Sequence, residues 1–265
     1  MKDLFFISDI HGCFTAMIDA LNESGFDENN EKHMLVVLGD IFDRGRENVE
    51  VYNYLKRLTD EKKAVVISGN HHKFLIDYLD GTSISPFNYM RNGVNETLAD
   101  FLGRTRPFES WCLIDKKIEY PVPGDFAEFI KEARDEINEE YPELLGWLKS
   151  LPHYFESKHY IGVHGAIDTQ VADWHFPHCE LYGLLDWEAL EFDDGAFFGK
   201  SILNTEKTVV IGHFGTAVLR DKYNIKDGKP IDDILIRNDG RVVAIDATTI
   251  VSNKVNVFVV RDEEI

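Results

Sequence analysis

The chain has 265 residues, 44% of them hydrophobic and 12% aromatic, enough to bury a substantial core in one large domain or two small ones. Lys+Arg 28 against Asp+Glu 47 leaves a formal charge of −19, which argues against a duplex nucleic-acid binder, since that role needs a basic face. A small anionic substrate stays open, because a bound metal ion can outweigh the surrounding field. Three widely spaced cysteines (Cys13, Cys112, Cys179) without a CxxC pair fit a reducing compartment rather than a disulfide framework. The opening "MKDLFFISDIHG" is too short in apolar residues for a signal-peptide core, and no run approaches membrane-spanning length, so the expected location is cytoplasmic.

In chain order, "LFFISDIHG" (Leu4 to Gly12) is a β-prone apolar run that stops at polar residues. Phe14, Met17, Ile18 and Leu21 then share one helical face. "MLVVLGDIFDRG" (Met34 to Gly45) repeats the strand-and-stop shape, followed by a helical stripe of Val49, Tyr52, Leu55 and Leu58. "AVVISGNHH" (Ala64 to His72) repeats it again. Strand–helix–strand–helix–strand implies parallel neighbours, whose carboxyl-end loops share one rim where ligands bind.

From about Lys73 to Pro152 the pattern changes to helices and loops, read as a mostly helical insertion bordering that rim within a single domain of residues 1–265. Asp125 is the expected N-cap of a helix carrying Phe126, Phe129, Ile130, Ala133 and Ile137, which Pro142 ends; "ELLGWLKSL" is a second short helix. "YIGVHG" and "TVVIGHFG" then stop at His164 and His213. The tail alternates in β fashion, with a hairpin at Asn238-Asp239-Gly240 and a final strand in "KVNVFVV".

The polar stops collect Asp9, His11, Asp40, Asn70, His164 and His213, with Asp43, Arg44 and His71 beside them. Two carboxylates, three imidazoles and an amide carbonyl suit first-row divalent ions better than calcium. Six ligands exceed what one catalytic ion with open positions takes, but they fit two ions bridged by a carboxylate at roughly 3.5–4 Å. A lone Asp-x-His, a "GD" after a strand or a "GNHH" turn is each weak. Five strand ends in order, each with a ligand-type residue, are not.

"SDIHG", "GDIFDRG", "GNHH", "VHG" and "GHFGT" resemble the ordered signature of the calcineurin-like metallophosphoesterases, most closely their phosphoprotein phosphatase branch. The resemblance implies an α/β sandwich of two mixed sheets flanked by helices, with the insertion added. It implies that Asp9, His11 and Asp40 hold one divalent transition-metal ion. Asp40 bridges to a second, held by Asn70, His164 and His213, with manganese first and iron or zinc as alternatives. Arg44 would bind substrate phosphate and His71 would act as general acid, oriented and kept protonated by Asp43.

Two departures stand out. His72 replaces the family's Glu, and no second clamping Arg lies between Arg134 and Arg220. Lys200 is the best stand-in by position, with Arg91, Arg104 and Arg106 as alternatives. The expected function is hydrolysis by hydroxide held between two metal ions. The first choice of substrate is phosphoserine or phosphothreonine in proteins. The alternatives are a dinucleoside polyphosphate or related nucleotide, and a catalytically silent metal-binding scaffold. Cys13 reads as a small residue at a helix start, and His175 and His178 as loop histidines rather than a further metal site with Cys179. Tyr89, Phe108, Trp111, Trp174 and Tyr182 read as packed aromatics rather than base-stacking platforms.

Overall fold

The amino-terminal run becomes strand β1 (Lys2–Ile7), buried on both faces from Leu4 onward, as expected of a strand inside a parallel sheet. The computed structural model describes residues 1–82, 86–103, 123–167, 175 and 205–263. Strands β2 (His33–Val37) and β3 (Ala64–Val66) run parallel beside β1, reached through helices α1 (Phe14–Glu23) and α2 (Asn48–Asp60). In α2 the buried residues are Asn48, Val51, Tyr52, Leu55 and Leu58, and Val49 packs partly buried against the same cluster, so Val51 joins the expected stripe. The last strand, β9 (Phe258–Asp262), adds antiparallel to β1 and completes the order β3-β2-β1-β9. It starts at Phe258, later than "KVNVFVV" suggested.

The second sheet contains β4 (Tyr154–Glu156), β5 (Tyr160–Val163), β6 (Thr208–Ile211), β7 (Leu235–Arg237) and β8 (Val242–Ala244), in the order β4-β5-β6-β8-β7. Strands β5, β6 and β8 are parallel, and β7 and β8 form the hairpin read from Asn238-Asp239-Gly240. Side-chain alternation divides the interior into layers. Leu4, Phe6, Val36 and Leu38 meet Phe155, Val210 and Val243 between the sheets. Phe5, Ile7, Leu35 and Val37 face the helices on the first sheet's outer side. Ile161, Val163, Val209 and Ile211 face helix α8 (Thr216–Lys222) through Leu219. This is the two-sheet α/β sandwich expected, and each buried branched or aromatic side chain contributes about 1.5–3 kcal/mol.

Between β3 and β4 lie helices α3 (Asn70–Leu79), α4 (Pro86–Met90), α5 (Val94–Phe101), α6 (Pro123–Glu140) and α7 (Leu144–Ser150). Helix α6 begins at Pro123, so Asp125 lies inside it rather than capping it; proline suits a first turn because its missing N–H has no helical partner there. The helix stops at Glu140, before Pro142. Leu75, Tyr78, Leu98, Phe101 and Trp147 from these helices join the apolar cluster of the first sheet. Among the described residues no helix is long and apolar enough to cross a membrane.

Candidate metal and phosphate centre

The rim forms because five of the expected strands stop in phase. β1 hands over to Asp9 and His11, β2 to Asp40, β3 to Asn70, β5 to His164 and β6 to His213. Asp9, His11, Asp40, Asp43, Arg44 and His213 all carry positive φ, between 47° and 74°. Each such residue costs about 1–3 kcal/mol, and such strain persists where the surrounding structure over-determines a working geometry.

Two groups of ligand-type side chains result. His11, Asp40 and His71 bring one donor atom each within 4.8 Å of one another, as do Asp40, His164 and His213. Asp40 is common to both, the position expected of a bridging carboxylate. Asn70 Oδ1 lies 3.0 Å from His164 Nε2 and joins the second group. Asp9 belongs to neither: its Oδ1 is 4.0 Å from His11 Nε2, and its Oδ2 accepts the His213 backbone N–H at 2.8 Å. His71 occupies the place in the first group that the sequence reading gave to Asp9.

The imidazoles are pre-set by backbone. His11 Nδ1–H donates to the Phe42 carbonyl at 2.9 Å and His164 Nδ1–H to the Leu38 carbonyl at 2.7 Å. The His11 ring therefore presents its Nε2 lone pair inward, the tautomer a metal ligand needs, whereas His164 Nε2 faces the acceptors Asn70 Oδ1 at 3.0 Å and Asp40 Oδ2 at 3.2 Å and carries a proton that a metal ion would displace. Asn70, His71 and His72 are not loop residues but the first turn of α3, where backbone N–H groups have no partner within the helix. The His71 N–H donates to Asp40 Oδ1 at 3.1 Å. His72, where the family has Glu, turns back so that its Nδ1 accepts the Gly69 N–H at 3.0 Å, the return bond a Glu makes in a capping box. Gly69 can have no side chain, since a Cβ there would stand 2.3 Å from Asp40 Oδ1.

His71 Nδ1 donates to Asp43 Oδ2 at 2.7 Å, as expected of the oriented pair. Arg44 spreads its fork over two rings, with Nη1 3.0 Å from His11 Nε2 and Nη2 3.0 Å from His71 Nε2. In this arrangement His71 Nε2 is an acceptor, and it can donate only once Arg44 turns onto another anion. Lys200, Arg104 and Arg106 lie outside the described residues, and Arg91 is exposed. Tyr89 is packed in the core as expected, whereas Phe108, Trp111, Trp174, Tyr182, His178, Cys112 and Cys179 are outside the described residues. His175 pairs with Glu156 at 3.1 Å.

One acidic residue escaped the sequence reading. Strand β8 runs parallel to β6 and stops at Asp246, on the same rim and 5% exposed. Its strand had been read only as half of a hairpin. A parallel strand ending in "AIDA" was the available signal.

Electrostatics shows what the cluster lacks. Burial above all, with Asp246 adding to it, raises Asp9 well above the usual carboxylate range. Burial pushes Asp246 up to about 6. Burial would raise Asp40 too, but His164 and His71 hold it well below its ordinary value. Conversely, burial would lower His164, yet Asp40 lifts it to about 9. A buried ring of three carboxylates short of positive charge, faced by inward Nε2 atoms, fits divalent ions bound through mixed O and N donors.

The sequence profile of the calcineurin-like phosphoesterase family matches residues 3–245. The chain belongs to that family. It is 31% identical over 100 residues to an asymmetrical bis(5'-nucleosyl)-tetraphosphatase of Bacillus velezensis, a stretch covering 36% of this chain and 39% of that one. It is 39% identical over 72 residues to a symmetrical bis(5'-nucleosyl)-tetraphosphatase of Buchnera aphidicola, covering 27% of this chain and 24% of that one. The phosphoesterase thus matches well under half the length of either relative. Among solved structures, one provisionally assigned as a diadenosine tetraphosphatase superposes with a TM-score of 0.53 at 16% identity, covering 97% of this chain and 93% of that one. A point mutant of a cold-active protein tyrosine phosphatase gives 0.52 at 16% identity, covering 98% and 75%. Both likenesses show the shared fold.

Proposed function

We propose that this phosphoesterase hydrolyses a phosphoanhydride or phosphoester of a nucleotide, with a dinucleoside tetraphosphate as the first substrate to test. The observation that carries the hydrolytic reading is Asp40, shared between two groups of ligand-type side chains beside the Arg44 fork. The choice of nucleotide over phosphoprotein is supported by the tetraphosphatase relatives, which reverses the order of preference drawn from the signature alone.

Asp9, His11, Asp40, Asn70, His164 and His213 would hold two divalent ions, manganese being the first candidate. Bound there, the ions would supply an activated water and offset phosphate charge. Arg44 turns its planar fork from the two imidazoles onto substrate phosphate oxygens. That frees His71 Nε2 to take up a proton from solvent and pass it to the leaving oxygen, while Asp43 keeps the Nδ1–H. Burial of Asp40, His71 and Asp43, each at most 2% exposed, keeps bulk water from screening these charges.

A phosphoprotein substrate is the second reading, favoured by the His71–Asp43 bond of 2.7 Å next to Arg44, the arrangement implied by the resemblance to the phosphoprotein phosphatase branch. Assaying diadenosine tetraphosphate beside a phosphoserine peptide, with Mn²⁺ and with chelator, separates the two. We expect chelator-sensitive cleavage of the tetraphosphate with kcat/KM at least about tenfold above the peptide's, a gap of about 1.4 kcal/mol. The opposite ranking would overturn the nucleotide reading.

A further inference from the structure

The insertion carries no part of the family signature, yet one of its helices reaches into the reaction centre. Gly93, Thr97 and Asp100 fall at i, i+4 and i+7, a single stripe along α5 and its N-cap. The neighbouring side of the helix, through Val94, Leu98 and Phe101, is anchored in the apolar cluster of the first sheet. The polar stripe lies on the segment from Asp43 to Asn48. Gly93 touches Arg44 so closely that a Cβ would stand 2.5 Å from the Arg44 nitrogen. Asp100 Oδ2 accepts both the Asn48 backbone N–H at 2.5 Å and its side-chain amide at 3.1 Å. Asn48 Oδ1 in turn accepts the Asp43 N–H at 3.1 Å.

Thr97 makes the decisive contact. Its Oγ1 accepts the Asp43 backbone N–H at 2.9 Å and donates to Asp43 Oδ1 at 2.5 Å. The hydroxyl has one proton, and because the backbone N–H already points at its oxygen, that proton must go to the carboxylate. Asp43 is thereby held at both backbone and side chain, and its other oxygen is left aligned with His71 Nδ1 at 2.7 Å. Thr97 and Asp43 are both 0% exposed, so no water competes for either bond. Asp43 and Arg44 carry φ values of 74° and 70°, and α5 adds its hold on that strained pair to the local bonds from Gly45 N–H and Asn48.

We propose that Thr97 is a positioning residue of the reaction, acting through Asp43 to aim His71 Nε2 at the leaving oxygen. The inference rests on the reading of His71 as proton donor. In that step water adds its oxygen to phosphorus and the bond from phosphorus to the leaving oxygen breaks. The electron pair stays on the leaving oxygen, and the proton that Nε2 takes from solvent once Arg44 has turned away goes to it. Asp43 takes no proton. Misalignment of His71 therefore slows substrates whose leaving oxygen is basic, and spares those that depart as stable anions.

The test compares phenyl phosphate with p-nitrophenyl phosphate, nearly equal in shape but unequal in their need for a proton. For Thr97→Val in the Mn²⁺-loaded full chain, kcat on phenyl phosphate should fall about 10- to 100-fold, while p-nitrophenyl phosphate changes less than about threefold and KM holds for both. Thr97→Ser, which keeps the hydroxyl, should restore both substrates. His71→Asn should show a larger version of the same split, about 10²- to 10⁴-fold on phenyl phosphate. If Thr97→Val does not fold, Thr97→Ala carries the same expectations. A split with His71→Asn but an equal loss on both substrates, or no loss, at position 97 overturns the role of Thr97 alone. No split with His71→Asn overturns the reading of His71 itself.

Discussion

Two Asp–His pairs of nearly equal length sit at opposite places in the molecule. His71 Nδ1 lies 2.7 Å from Asp43 Oδ2 on the rim at the strands' carboxyl ends, and His159 Nδ1 lies 2.6 Å from Asp262 Oδ1 where the edges of the two sheets meet. At the far edge every bond closes locally. Asp262, on the last strand of the first sheet, accepts from Ser157 Oγ at 2.6 Å and from the His159 N–H at 2.8 Å, both in the β4–β5 turn of the second sheet. On the rim, His71 is 2% exposed, its Nε2 faces Arg44, and burial together with the nearby Asp246 carboxylate raises the proton affinity of Asp9. The same residue types make a satisfied joint in one place and an open, charge-deficient cradle in the other. What separates them is whether the protein itself completes the hydrogen bonding.

The sharpest break in that comparison is Asp40→Asn. It should lower kcat about 10³-fold or more, equivalent to about 4 kcal/mol, with the far-UV circular dichroism of a folded chain retained. Gly93→Ala tests how firmly the insertion holds the rim. An alanine there would meet the Arg44 nitrogen and adopt φ near 96°, so urea unfolding should show a loss of about 2 kcal/mol, together with reduced activity.

Asp262→Asn should do the reverse of Asp40→Asn and leave turnover unchanged. Burial would raise the Asp262 carboxyl, but bonds from Ser157 and His159 lower it to about 2, below its ordinary 3.8. Because the folded value is depressed, the stabilisation is fully present above pH 3.8 and is lost as pH falls toward about 2. The substitution should cost about 1–2 kcal/mol at neutral pH, and it should flatten the acid limb of stability between those two values. Equal acid limbs in the two proteins would show that the joint is not held by the ionised carboxylate.

How far these features could be read from residues alone follows from their range. Strand runs, helical stripes and the polar stops are local patterns, so the parallel β1–β3 unit and five of the rim's strand ends were legible, as was the Asn238-Asp239-Gly240 hairpin, whereas the pairing of two sheets followed only from the family resemblance. The N-terminal turn of α3 was not, because "GNHH" reads as a turn until the capping role of His72 is seen. Asp246 was hidden because its strand's parallel partner, β6, lies about thirty residues earlier, and a hairpin signal says nothing about the other edge. Thr97 lies 54 residues from Asp43 in a segment without motif residues, so only folding brings them together. The preference between protein and nucleotide substrates was hidden for another reason. Signature residues encode the chemistry at phosphorus, whereas the leaving group is chosen by what surrounds it.

The central claim is that the rim is a cradle completed by cations. It is tested most directly by calorimetric titration of the chelator-stripped chain with Mn²⁺, alongside Asp40→Asn and hydrolysis of diadenosine tetraphosphate. Two ions should bind per chain, the bridge-dependent one should be lost in the variant, and turnover should appear only as the sites fill. Undiminished hydrolysis by the stripped chain, or no uptake of Mn²⁺, Fe²⁺ or Zn²⁺, would contradict it.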